Sequence, residues 1–187
     1  MVAAVRLRDL EDELGPDLEL SWRAFLLRPR PASSPRSLDE FRRYTRSWQR
    51  PAAEEPRAGF REWASDEGPP SHSLPPHQVA KAAARIDRAA FERIHELLLE
   101  AYFRESRDIT ADAVLADLWR RAGLPPERFR DRHDPEILLE VRTDFEEAIA
   151  NGASGAPAVR LEPGFGVLMG AQPTQVYRDW LARVAAT

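Results

Sequence analysis

Few side chains in this sequence can do covalent or metal chemistry, and their spacing suits neither. Cysteine is absent, so these residues form no thiolate metal site, disulfide framework or thiol nucleophile. The four histidines are His72, His77, His95 and His133. No pair stands at i, i+4, and no His-Glu-x-x-His pattern occurs, so no metal site is expected. His95, beside Glu96 in an amphipathic stretch, reads as a helix-face or packed histidine. Ser71-His72-Ser73 and His77 lie in a Pro-rich segment without a Gly-x-Ser-x-Gly elbow, so serine-hydrolase chemistry is not expected. Glu162-Pro163-Gly164-Phe165-Gly166 lacks both Gly-Lys-Ser/Thr and Gly-x-Gly-x-x-Gly, and reads as a hairpin turn rather than a phosphate loop.

Two features remain. Residues 23–50 hold eight arginines (23, 28, 30, 36, 42, 43, 46 and 50) against Asp39 and Glu40, a local balance of +6. That run could face an acidic ligand or a nucleic-acid backbone. Without an aromatic platform threaded through it, a solvated helix face is the better reading. The second feature is Gly155-Ala156-Pro157. On the residues alone it is a proline entering a strand, where proline is tolerated. Gly152 must end the preceding helix, Gly155 can supply a positive φ, and Pro157 must enter the strand within a few residues.

The elements that position these groups follow from periodicity. Leu7, Leu10 and Leu14 form a helical stripe stopped by Gly15-Pro16. Leu18, Leu20, Trp22 and Ala24 alternate with polar residues, which predicts a strand over 18–26. Ser37-Leu38-Asp39-Glu40 is a capping box, and Leu38, Phe41, Thr45 and Trp48 continue the helical face. Residues 50–76 read as irregular and Pro-rich, anchored by Phe60, Trp63 and Leu74. From about 76 to 124 the pattern is helical: Val79, Ala83 and Ile86, then Phe91, Ile94, Leu98 and Tyr102. A third segment, capped by Asp108 or Thr110, carries Val114, Leu118 and Trp119 and stops at Gly123. Asp134-Pro135 opens a helix with Leu138, Val141, Phe145 and Ile149 inward, ended by Gly152. Strands follow at 158–161 and 165–169. A last helix, from about Thr174, turns Val176, Trp180, Leu181 and Val184 inward. The order is α/β with an all-helical subdomain over about 34–133.

Composition sets bounds on the partners. The chain has 187 residues, 43% apolar and 31% charged, with a formal charge of −4. That is enough for one substantial core, and it offers no basic field for nucleic acid or an anionic membrane. No apolar run reaches the roughly 18 residues of a span, and the first residues contain no apolar signal core. A cytoplasmic protein is expected, with no nucleic-acid and no membrane partner.

The order and several segments resemble the DsbA-like branch of the thioredoxin superfamily, in particular its FrnE-like and 2-hydroxychromene-2-carboxylate-isomerase-like members. Glu19–Pro29 (ELSWRAFLLRP) resembles the family's second strand. SHSLPPHQVAKAAA and FERIHELLLEAYFRESRDIT resemble its helical insert. Asn151–Leu161 (NGASGAPAVRL) is similar to the Gly-Val-x-Gly-Val-Pro-x-Phe segment, and MGAQPTQVYRDWL to the closing Gly-Ala-Gln-Pro segment. The resemblance covers residues 2 to 185. It implies a thioredoxin-like sheet interrupted by a helical insert: residues 1–33 and 134–187 as the two parts of the thioredoxin-like domain, 34–133 as the insert. It implies a cis Pro157, with Gly155, Ala156 and Pro157 binding a cysteine-containing peptide or a small thiol.

Family members open on a strand and a Cys-Pro-x-Cys turn, or a Ser variant in glutathione-using isomerases, at a helix N-terminus that depresses the nucleophile's pKa. This sequence begins inside that helix. The expectation is therefore a thioredoxin-like sheet lacking its first central strand, between 18–26 and 158–161. Thiol–disulfide exchange is the family activity, no catalytic residue is expected here, and no cofactor is required. Glutathione enters in the alternative reading of a glutathione-dependent (kappa glutathione transferase-like) isomerase. A non-catalytic peptide-binding module is the third.

Overall fold

The computed structural model describes residues 1–34, 36–162 and 165–185. They form two compact units: residues 1–25 with 144–187, and residues 26–143.

In the first unit, α1 (Val2–Leu14) ends at Gly15, whose φ of 56° and N–H to the Glu11 carbonyl close the helix. Ala3, Leu7 and Leu10 pack with the buried Tyr177 of α8 (Thr174–Ala185), and Leu18, Leu20, Trp22, Val159 and Leu168 join the cluster. β1 (Ala158–Leu161) and β2 (Phe165–Met169) pair antiparallel, Ala158 opposite Met169 and Arg160 opposite Val167. They are the sheet among the described residues. Pro163 and Gly164 of the expected hairpin turn lie outside those residues.

The strand expected over 18–26 is not formed. The alternation itself is present: Leu18, Leu20, Trp22 and Ala24 turn inward while Glu19, Ser21 and Arg23 are exposed. What the segment lacks is a ladder. Two of its amides go to side chains instead: Leu20 N–H donates to Glu11 Oε1 at 2.9 Å and Ala24 N–H to Asp144 Oδ2 at 2.8 Å. Period-2 burial records a two-faced extended chain and says nothing of what hydrogen-bonds to it. The Asp144 side chain, 3% exposed, also accepts from Arg23 Nη1 at 3.0 Å. Beside it Phe25 meets Phe145 edge-on at 5.3 Å.

The second unit is helical: α2 (Leu38–Thr45), α3 (Gln49–Glu54), α4 (Leu74–Ala84), α5 (Arg88–Phe103) and α6 (Asp112–Arg121). The capping box at α2 is complete, Ser37 N–H donating to Glu40 Oε2 and Glu40 N–H to Ser37 Oγ. Val79, Ala83, Ile94, Leu98, Leu115 and Trp119 make one core. Phe41, Trp48 and Trp63, with Phe60, Tyr102 and Phe103, make another. Residues 50–76 are less irregular than expected, since α3 and a 3₁₀ turn at Pro56–Ala58 occupy their first part. Hydroxyls take two amides of the rest: Thr45 Oγ1 accepts from Trp63 N–H and Ser106 Oγ from Ala64 N–H, each at 3.0 Å. Asp108 and Thr110 do not cap α6, whose N-cap is Ala111. Asp108 instead accepts from Thr110 N–H and Oγ1 in a local turn.

α7 (Pro135–Ala150) starts as expected, with Asp134 Oδ1 accepting from Glu136 N–H. Its inward face differs: Ile137, Val141 and Asp144 are buried, whereas Ile149 is 49% exposed. α8 is likewise rotated from its expected face, with Tyr177 at 1% exposure and Val176 at 36%. Apolar spacing locates a stripe to within a residue. It does not foresee that a carboxylate or a phenol with partners will occupy the buried edge.

Two predictions follow from these contacts. Asp144→Ala strips the acceptor from a buried amide and should cost about 2–3 kcal/mol in urea unfolding, with Asp144→Asn, which keeps an acceptor, costing less. Burial, with Tyr44 nearby, pushes the Tyr102 hydroxyl from 10.0 up to about 12, against the opposing fields of Arg28 and Arg36. A raised folded-state pKa means the stability is whole below the unfolded value and is lost as pH climbs through the folded one. Between pH 10 and about 12, roughly 2–3 kcal/mol should therefore disappear in the wild type and not in Tyr102→Phe, by urea midpoints across that range.

Candidate functional site

The segment from α7 into β1 is built almost wholly from main chain. The helix ends with Gly152 at φ 92°, its N–H donating to the Ile149 carbonyl, while Ala153 N–H reaches Ala148. Ala153 is 5% exposed and seats the turn. The positive φ thus falls on Gly152 and not on Gly155, where it was expected. Ser154 and Ala156 are exposed, and Gly155 and Pro157 half-buried. The Ala156–Pro157 peptide bond is cis.

Past this bond the ladder begins: the Pro157 carbonyl accepts from Gly170 N–H at 2.8 Å. One residue earlier it stops. Among the described residues no hydrogen bond engages the N–H or C=O of Ala156. An exposed peptide group at the end of a ladder is open to water or to an added strand. No titratable side chain lies between Gly152 and Val159, so this segment offers a ligand main-chain hydrogen bonds and the exposed Ser154 hydroxyl.

The opposite side of the ladder is held by contacts that sequence reasoning missed. Gln172 Nε2 donates to the Met169 carbonyl at 2.7 Å, and Gln172 N–H to Tyr177 Oη at 3.1 Å. Arg6 Nη1 donates to the Gln172 carbonyl at 2.9 Å. Together they fix the turn that delivers Gly170 N–H to Pro157. The available signal was Gln172-Pro173, a polar residue before a helix-starting proline, with a tyrosine five residues on.

The other candidates form no catalytic set among the described residues. Ser71 Oγ and His72 Nδ1 are 2.8 Å apart on an exposed stretch. His95 stacks on Phe91 at 5.2 Å, and His133 is exposed. Among the described residues no group of three metal-ligating side chains converges. No described helix is long and apolar enough to cross a membrane.

Tyr177→Phe should remove about 1 kcal/mol in urea unfolding, because Gln172 N–H loses its acceptor. Hydrogen exchange at Gly170 should quicken with it if this turn holds the ladder.

A family model described as a DSBA-like thioredoxin domain matches residues 1–182. The structure is similar to that of a "putative protein disulfide isomerase" from Nitrosomonas europaea, at 19% identity and a TM-score of 0.76, covering 97% of this chain and 91% of that one. It is also similar to the cytosolic disulfide reductase DsbM of Pseudomonas aeruginosa, at 20% identity and a TM-score of 0.71, covering 99% of this chain and 91% of that one. DsbM with GSH gives a TM-score of 0.72 at 20% identity, with the same coverage. Among curated proteins none matches. At such identities the structural likenesses establish the fold, and the family model extends over nearly the whole chain. The chain belongs to the DSBA-like thioredoxin domain family, a thiol–disulfide oxidoreductase-like family, here in a sequence without cysteine.

Proposed function

We propose that this chain binds an extended cysteine-containing peptide or a small thiol through Gly155, Ala156 and Pro157, without exchanging disulfides itself. The carrying observation is the peptide group of the exposed Ala156, unengaged among the described residues, with only Pro157 between it and β1. An extended ligand that exchanges N–H and C=O bonds with Ala156 would continue the ladder begun by Pro157 and Gly170. Disulfide exchange needs an attacking thiolate, and the 187 residues supply no thiol. A cytoplasmic setting, with neither nucleic acid nor membrane as partner, belongs to the same reading. The net charge of −4 supports it.

Glutathione as the bound thiol is the second reading. It draws on the DsbM structure that carries GSH. Glutathione is itself a short extended peptide, so the same main-chain groups would serve.

In the insulin-reduction assay the protein should match the no-protein rate; turnover above it would overturn the non-catalytic part. Titrating an extended cysteine-containing peptide should shift the amide resonances of Gly155, Ala156 and Gly170. Main-chain pairing contributes only about 1 kcal/mol per bond, so the affinity should be weak. An N-methylated version of the peptide should lose the effect. Shifts elsewhere that survive N-methylation would refute the site, and parallel titration with glutathione separates the two ligands.

A further inference from the structure

The register of the hairpin fixes which way each main-chain group of β1 points. In an antiparallel pair, residues bonded to the neighbouring strand alternate with residues whose N–H and C=O face away from it. Gly170 N–H donates to the Pro157 carbonyl, and Ala158 stands opposite Met169, Val159 opposite Leu168 and Arg160 opposite Val167. Pro157 and Val159 therefore direct their groups to β2, whereas Ala158 and Arg160 direct theirs to the outer edge. Both residues are exposed, and among the described residues no hydrogen bond engages that side of their main chain. The unpaired main chain that begins at Ala156 thus continues through Ala158 to Arg160.

Side chains on this edge restrict what can pair with it. Ala158 and Arg160 share one face of the hairpin with Met169 and Val167, their partners across the ladder. The Ala158 methyl is short, so a large apolar side chain set opposite it can lie across toward the half-buried Met169. Arg160 supplies the charge. Its Nη1 stands 3.4 Å from a Glu162 carboxylate that is 74% exposed, a pair worth little in water. A residue directly opposite Arg160 on an added strand would have its Cβ only about 5 Å away. A cation placed there repels a basic strand and favours an acidic one, which makes the edge selective.

We propose that the ligand of the Ala156 site is an extended peptide that continues antiparallel along β1, with an acidic residue opposite Arg160 and an apolar residue opposite Ala158. The proposal rests on the Ala156 reading and adds a length, a register and a sequence to it. From its N-terminus the peptide reads acidic, any, apolar, any, cysteine, the cysteine lying beside Ala156.

The probe is the N-acetylated, C-amidated peptide Glu-Thr-Leu-Thr-Cys-Thr, titrated into the full chain under reducing conditions while amide resonances are followed. Shifts are expected at Ala158 and Arg160 in addition to Gly155, Ala156 and Gly170. Replacing the peptide's Glu by Gln should weaken binding about threefold, and by Lys about tenfold. Arg160→Glu should reverse that ranking, so that the Lys peptide binds best. Arg142→Gln, at an exposed position of α7, should leave each affinity within about twofold. N-methylation reads the register. On the Leu, whose N–H faces Ala158, it should abolish binding; on the Thr before it, whose N–H faces away from β1, it should be tolerated. Circular dichroism establishes that both variants fold, and the peptide series on the wild type stands without them. Three results would each overturn this inference and leave the Ala156 reading intact: shifts confined to Gly155, Ala156 and Gly170, equal affinities for the Glu, Gln and Lys peptides, or equal effects of the two N-methyl groups. Absence of shifts at all five amides would overturn both.

Discussion

A buried carboxylate governs the first unit. Asp144 takes the Ala24 amide and the Arg23 guanidinium at once, tying the chain just after α1 to the last turns of α7. A charge at 3% exposure is costly unless hydrogen-bonded. Here one oxygen meets a cation and the other a main-chain N–H that no strand satisfies. The consequence is a segment that lies extended, with its apolar face toward α1 and α8, yet belongs to no sheet. Leu18, Leu20 and Trp22 can then complete the cluster around Leu10 and Tyr177, and the hairpin packs on that cluster through Val159 and Leu168.

The helical unit solves a different problem. Its Pro-rich stretch cannot build long ladders or long helices, so single hydroxyls and carbonyls take its amides one at a time. Thr45, Ser106 and the Phe103 carbonyl accept from Trp63, Ala64 and Arg61 respectively. Trp63 is thereby set into the aromatic cluster, with Phe41 edge-on at 5.2 Å. Gly59, at φ 65°, lies so close to the Arg104 guanidinium that a Cβ there would fall 2.2 Å from Nη2. The positive φ is what calls for glycine at that point, since the Arg104 guanidinium is the far end of a flexible side chain. These anchors make the loop part of the core and give the Tyr102 ring its walls.

In the proposed reading, recognition rests on main chain more than on side chains. A thiol-exchanging site needs a thiolate beside a groove that holds the partner chain extended. These residues supply an exposed peptide group at the head of a ladder and no sulfur nucleophile. Recognition by backbone pairing tolerates many side chains, which suits a scaffold whose ligands share an extended shape more than a sequence. The Arg6–Gln172–Tyr177 contacts serve that surface indirectly, by fixing the turn on the other side of the ladder.

Much of the local structure was legible in the residues because it depends on neighbours along the chain. The Ser37–Glu40 capping box, the Gly15 and Gly123 helix ends, the Asp134-Pro135 start and both hairpin strands follow from propensity, capping and period. The helical insert and its family were legible too, through the order of segments such as NGASGAPAVRL and MGAQPTQVYRDWL. The tertiary structure alone decided where hydrogen bonds without a local partner would go. It gave the Leu20 and Ala24 amides to Glu11 and Asp144 instead of a strand, and turned Tyr177 and Asp144 inward where Val176 and Ile149 were expected. Such choices join residues far apart in sequence, and their energies come from burial and from satisfying buried polar groups. No period or propensity along a single stretch of chain contains that information.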